Sequence, residues 1–282
     1  MRTVQSLPVA LCSRSAIPFF SALMSALHGT MATTQPSLED RLLPLAAGWQ
    51  RLFLLRHGET DWNAQGKIQG GGFDIALNSN GQAQAVATAQ LLRKFSFAVV
   101  ASSPLQRASA TADLLYQALS QSTRPAELTN PSPQMCRVVD PGLGEMCFGE
   151  LEGLVIRGPQ STASTKARFA QQSAALRRDR TLPWPGPGGE SIHDVELRAT
   201  RAIANIWKDH PDATQILIVA HGRTNKILLQ SLLRLSDEDY DELSQGNTCV
   251  NVLDRSPQGV HESRLLNYME HIDSESAKNA PS

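Results

Sequence analysis

The stretch Arg51-Leu-Phe-Leu-Leu-Arg56-His57-Gly58-Glu59-Thr60 decides the fold. Leu52 to Leu55 read as a buried strand, and the run ends in a cation, an imidazole and a glycine. In α/β sheets, ligands bind just past the carboxyl ends of strands. A second apolar run, Ile216 to Ala220, ends the same way in His221-Gly222-Arg223. If these strands are neighbours, their two imidazoles face one pocket.

Working outward, short apolar runs alternate with amphipathic stretches, as βα units do. Residues 51–56, 97–101, 137–139, 215–220 and 250–254 read as strands. Asn78 suits the N-cap of a helix carrying Ala83, Val86, Ala87, Leu91 and Leu92 on one face. Ser103 suits the cap of a second helix, with Pro104 at its first position, running to about Leu119. A third helix, from about Ser191 to His210, repeats Ile192, Val195, Leu197, Ala202, Ile203, Ile206 and Trp207. This order predicts an α/β fold with a mostly parallel sheet. Residues 130–141 and 154–189 read as surface loops, the latter as a small lid insertion.

The 282 residues suffice for one sizeable domain, and about 200 residues bury roughly 70% of the surface their unfolded chain exposes. With 41% hydrophobic and 19% charged residues and a formal net charge of -1, there is no overall basic field for nucleic acid, so any anion site is local. Cys12, Cys136, Cys147 and Cys249 form no CxxC pair and have no His at metal-ligand spacing, which indicates neither a zinc site nor a disulfide scaffold. The longest apolar run, Ala16 to Leu27, is short and broken by Pro18, Ser21 and Ser25, so no membrane span or membrane partner is expected.

No acidic residue precedes Glu39, while Arg2 and Arg14 stand among six serines, a composition that suits an organellar transit peptide. A secretory signal, or a true start at Met31, are the rival readings. The expected organisation is a leader over 1–45, a domain over 46–269 and a frayed polar tail over 270–282, in a chloroplast or mitochondrion if the leader is real and otherwise in the cytoplasm. The sequence leaves a homodimer open.

The third chemical element is Ser102-Ser-Pro-Leu-Gln-Arg107-Ala-Ser-Ala-Thr111-Ala112, a strand followed by a helix start with an arginine in its first turn. Helix N-termini favour anions, and a guanidinium adds a two-pronged phosphate contact. Together, Arg56-His57-Gly58-Glu59, the Ser103-to-Ala112 segment and Ala220-His221-Gly222 resemble the motifs of the histidine phosphatase (phosphoglycerate mutase-like) superfamily, in order, over about Arg51 to Asp254. Asp61-Trp62-Asn63, Gly66-Lys-Ile-Gln69-Gly70, Leu143-Gly-Glu145-Met-Cys-Phe-Gly149 and Gly188-Gly-Glu190-Ser191 agree with it.

The resemblance implies a three-layer α/β/α sandwich. It implies a phosphomonoesterase acting on a small phosphate ester, most readily a sugar phosphate, with neither metal nor other cofactor. His57 would be the nucleophile and Glu145 the proton donor, while Arg56, Arg107, His221 and Gly222 would bind the phosphoryl group and Asn63 and Gln69 would line its pocket. For such chemistry His57 must be neutral, and nearby Arg56 and Arg107 should push its pKa below the ordinary value of about 6.5. Glu59 and Glu190 read as complements to helix dipoles, and Cys147 as a small hydrophobe.

A cofactor-dependent phosphoglycerate mutase shares these motifs, but Glu145 is followed here by Met146-Cys-Phe-Gly149, as in the phosphatase branch. A phosphate-binding regulatory protein is the third reading, and would need neither nucleophile nor acid. The loop Gln69-Gly-Gly-Gly-Phe73-Asp74 is one residue longer than the usual family form. Specificity is expected from 154–189, where Arg157, Lys166, Arg168, Arg177, Arg178 and Arg180 suit a second anionic group.

Overall fold

The strand Gln50–Arg56 (β1) is buried throughout beyond its first residue, and its side chains alternate between two cores. Leu52 and Leu54 point to one face of the sheet and Phe53 and Leu55 to the other, as the two-residue period of a strand requires. A strand covered on both faces must be apolar at every position, which is why this segment reads as an unbroken run.

The computed structural model describes residues 37–121 and 135–272. The expected leader up to 36, the start of the 130–141 loop and the tail from 273 lie outside the described residues. Among those described, β1 is joined by β2 (Val99–Ser102), β3 (Cys136–Val139), β4 (Gln215–Ala220), β5 (Val250–Arg255) and β6 (His261–Tyr268) in one sheet of order β3-β2-β4-β1-β5-β6. The β3–β2, β2–β4 and β4–β1 pairs are parallel, whereas β5 is antiparallel to both β1 and β6. The sheet is therefore mixed and mostly parallel, as expected.

Helices cover both faces. On one side α6 (Ile192–Asp209) and α7 (Gly222–Leu233) pack Ala199, Ala202, Ile203, Ile206, Leu228 and Leu229 against Leu52, Leu54 and Ile218. On the other, α3 (Ser79–Leu92) and α4 (Gln106–Ser120) pack Ala89, Leu92, Ala108, Ala112 and Leu115 against Phe53, Leu55 and Val219. The short α1 (Leu38–Arg41) joins this second core through Leu38, and Leu42 follows it, so the domain begins ahead of residue 46. A third apolar cluster unites Phe148, Leu151, Leu176 of α5 (Ala163–Arg178), Trp184, Ile192 and Tyr240 of α8 (Asp237–Glu242). It anchors the 154–189 insertion.

Several local expectations are corrected. The second helix begins at Gln106 rather than at Pro104, because Leu105 is extended and the Asp74 carboxylate accepts the Gln106 N–H at 2.7 Å, capping α4 from a distant loop. Ser103 instead accepts the Leu105 N–H at 3.2 Å. On α3 the buried face carries Gln84, Ala85, Thr88 and Ala89, while Val86 is exposed. Gln84 is drawn inward because its Oε1 accepts the Glu59 N–H at 2.9 Å. The edge strand β6 escaped notice because most of its residues are only partly buried and its alternation is weak.

Deep in the sheet, Arg51 of β1 donates two hydrogen bonds to Asp254 of β5, at 2.6 and 2.9 Å, and Arg264 of β6 donates a third at 2.7 Å. Burial alone would raise the Asp254 carboxyl pKa, yet these bonds hold it below its ordinary value. Its contribution is thus present above the unfolded carboxylate pKa of about 3.9 and is lost as pH falls. Asp254→Ala leaves buried Arg51 uncompensated and should cost about 3–5 kcal/mol, read from urea unfolding at neutral pH.

Candidate active site

Because β1 and β4 run parallel with Arg56 opposite Ala220, the chain leaves both strands at one level. The His57 N–H donates to Ala220 O at 3.0 Å, and the His57 and His221 rings lie 5.2 Å apart at centroid, inclined by 60°. Both are buried. His57 Nδ1 lies 2.6 Å from Gly58 O. A carbonyl only accepts, so Nδ1 carries the hydrogen and Nε2 keeps its lone pair. Burial, then Arg107 and Arg56, hold the His57 pKa well below its ordinary value, and burial and Arg107 do the same for His221. Neither His221 nitrogen has a hydrogen-bond partner among the described residues.

Gly58 permits this arrangement through close approach: a Cβ there would collide with Gly81 O at the start of α3. Gly222 has a milder reason, since a Cβ would stand 3.4 Å from Arg56 Nε.

The two inner arginines are held by backbone oxygens. Arg56 Nη1 donates to Gln245 O at 2.7 Å, and Arg107, wholly buried on α4, donates to Gly70 O at 2.7 Å and Phe73 O at 2.9 Å. Arg107 thus pins the longer loop that Gln69 opens. Gln69 Oε1 is buried with no partner among the described residues. Asn63 closes a capping box with Thr60 at the start of α2 (Asp61–Ala64), and its Oδ1 accepts from Asn247 at 3.3 Å.

Glu145 reaches the site from the loop after β3. Its Oε1 accepts from Thr224 N and Thr224 Oγ1, both at 3.1 Å, and its Oε2 from Arg223 N at 3.2 Å, so it caps α7, whose N-cap residue His221 makes no side-chain cap bond. Arg198 fixes this loop by donating to Gly142 O and Gly144 O at 2.8 Å and to Glu145 O at 3.1 Å, while pairing with Glu190. Glu190 Oε2 also accepts the Cys147 N–H at 2.9 Å, which makes it a clamp on the Glu145 loop rather than a helix-dipole complement alone. Burial first, then Glu190, pushes the Cys147 thiol up to about 11.

His57, Arg56, Arg107, Glu145, Asn63, Gln69 and Gly222 all line one cavity of about 160 Å³. His221 packs against His57 and is not part of the lining. Among the described residues no group of three or more His, Cys, Asp or Glu is placed to hold a metal ion, and no helix is long and apolar enough to cross a membrane.

The model of the histidine phosphatase superfamily (branch 1) matches residues 52–267. The chain belongs to that superfamily. Among its relatives are a glucosyl-3-phosphoglycerate phosphatase of Mycobacterium tuberculosis, 33% identical over 69% of this chain and 80% of its own length, and the 2,3-bisphosphoglycerate-dependent phosphoglycerate mutase 2 of Gloeobacter violaceus, 31% identical over 68% and 80%. The solved structure of mycobacterial glucosyl-3-phosphoglycerate phosphatase with VO3 superposes with a TM-score of 0.63 at 28% identity, covering 78% of this chain and all of that one. The protein is a phosphatase of the histidine phosphatase superfamily.

The phosphatase cavity also holds groups that sequence reasoning passed over. Gln245 and Asn247, from the segment before β5, hold Arg56 and the His57 carbonyl. Nothing near them in sequence marks this role. Arg223 and Lys226 line the cavity from α7, and of the six basic residues of the insertion singled out above only Arg157 reaches it. Arg168 pairs with Glu150, Arg177 with Asp241 and Arg180 with Glu196.

In the ligand-free protein, His57 and His221 should show no titration between about pH 6 and 8 in imidazole NMR spectra. Both pKa values are lowered on folding, so the unfolded chain binds more protons below about 6.5, and stability should fall as pH drops through that range.

Proposed function

We propose that this phosphatase hydrolyses a small phosphomonoester, of the sugar-phosphate type, in two steps through a phosphohistidine on His57 and without a divalent metal. The observation that carries the reading is a neutral, buried His57 whose Nδ1 is committed to Gly58 O, leaving Nε2 for the cavity that Arg56, Arg107 and Glu145 share.

In the first step Nε2 attacks phosphorus, the ester P–O bond breaks, and the leaving alkoxide takes a proton from Glu145. In the second, a water gives a proton to the Glu145 carboxylate and attacks phosphorus, the P–N bond breaks, and inorganic phosphate leaves. Arg56 and Arg107 supply positive charge for the equatorial oxygens, which is where phosphoryl transfer gains most of its rate. His221, buried beside His57 with both nitrogens unpartnered, suits a further contact to the phosphoryl group. The unsatisfied oxygen of Gln69 suits a substrate hydroxyl, and a relative that acts on glucosyl-3-phosphoglycerate supports a sugar-linked substrate.

The test is phosphate release from p-nitrophenyl phosphate and a sugar-phosphate panel in EDTA. Turnover should persist without metal, and His57→Ala should lose at least about a thousandfold. Glu145→Gln should lower kcat/KM on the order of a hundredfold or more for alkyl phosphates, and much less for p-nitrophenyl phosphate, whose leaving group needs no proton in the first step. Dependence on a divalent cation overturns the reading. Isomerisation of 3-phosphoglycerate only with a bisphosphate primer replaces it with the mutase.

A further inference from the structure

We infer that Arg157, Arg223 and Lys226 form a second anion subsite in the cavity, selecting phosphomonoesters that carry a separate anionic group, carboxylate or phosphate, beyond the ester. The inference rests on the phosphatase reading for the identity of the first anion.

The cavity is lined by six cationic side chains, Arg56, Lys67, Arg107, Arg157, Arg223 and Lys226, and by one carboxylate, Glu145, which already caps α7. A phosphomonoester dianion and Glu145 together bring three negative charges to six positive side chains. Arg107 and Arg56 bear on His57, whereas Arg223 and Arg157 bear on Lys226, and Arg157 also feels Arg56. Gly222 packs beside Arg56, and Lys226 stands four residues along α7, about 6 Å of helix rise away.

Elsewhere on this side of the molecule, arginines are neutralised: Arg168, Arg177, Arg180 and Arg198 each pair with a carboxylate. Arg223 and Lys226 make no ion pair among the described residues. Instead Arg223 lies over the Phe148 and Phe169 rings and donates to Tyr240 Oη at 3.0 Å, while Lys226 Nζ lies 4.7 Å from the Tyr240 ring centre. Aromatic faces position these cations without cancelling their charge.

Lys226 makes the subsite sensitive to pH. Burial first, then Arg223, lowers its pKa to about 8, with Arg157 and Arg177 adding to the fall and Asp241 opposing it. Arg157 is lowered to about 10, by burial and by Arg56 and Arg223, and stays charged. The subsite therefore loses one positive charge as pH rises through about 8.

The experiment measures equilibrium binding by calorimetry to full-length protein carrying His57→Ala, so that it needs no turnover. The probes are 3-phosphoglycerate, glycerol 1,3-bisphosphate and glycerol 1-phosphate, the last lacking the second anion. At pH 7 one of the first two should bind at least about tenfold more tightly than the third, a carboxylate preference or a phosphate preference naming the second group. That advantage should shrink several-fold on adding Lys226→Met or Arg157→Gln, and also on raising the pH to 9. Lys226→Arg should keep the advantage and abolish its loss at pH 9. Equal affinity for all three probes, or an advantage indifferent to these substitutions and to pH, overturns the subsite. Should Lys226→Met fail to fold, the pH profile with the pocket otherwise intact decides alone. Failure of the phosphatase reading shows separately, as absence of His57-dependent hydrolysis in the unsubstituted protein.

Discussion

Six consecutive residue pairs, from Arg51 with Gln215 to Arg56 with Ala220, join β1 to β4 in parallel. Parallel neighbours end at the same edge of a sheet, so this one register brings His57 and His221 within ring contact. A slip by one residue would turn Leu52 and Leu54 into the core now filled by Phe53 and Leu55, and would separate the imidazoles. The packing of both faces therefore holds the chemistry in place. With β2 on the far side of β4, Ser102 and the start of α4 deliver Arg107 to the same edge.

Concentrating cations around a buried imidazole is costly unless their N–H groups are satisfied. Here carbonyl oxygens of Gln245, Gly70 and Phe73 accept from terminal nitrogens of Arg56 and Arg107, while Arg107 Nε is buried with no partner among the described residues. The nearby carboxylates also hold the scaffold: Asp74 caps α4, Glu145 caps α7, and Glu190 with Arg198 clamps the loop that carries Glu145. Burial first, with Arg107 and Arg56 adding to it, keeps His57 neutral.

Much of this was legible in the chain. The apolar runs at 52–55 and 216–219 marked central strands because burial on both faces allows no polar residue, and the His-Gly pairs after them marked the reactive edge. Other features were not. Periodicity placed Val86 inward on α3, but hydrogen bonding turned Gln84 and Thr88 inward instead. Ser103 had the chemistry of a cap, yet a carboxylate thirty-odd residues upstream took that role for Gln106. The basic insertion looked like the specificity element, but ion pairs hold Arg168, Arg177 and Arg180, and two cations of α7 line the cavity in their place.

By itself the sequence determined the layered α/β fold, because strand burial restricts residue type at adjacent positions, and its family resemblance pointed to His57, His221, Arg56, Arg107 and Glu145 as the site candidates. Only the tertiary structure decided which strands are neighbours, which imidazole nitrogen is committed to Gly58, and which cations reach the cavity. Those outcomes depend on groups such as Gln245, Asp74 and Arg198 that meet the site only after folding. Local sequence cannot encode a contact whose other half lies far along the chain and has no motif of its own.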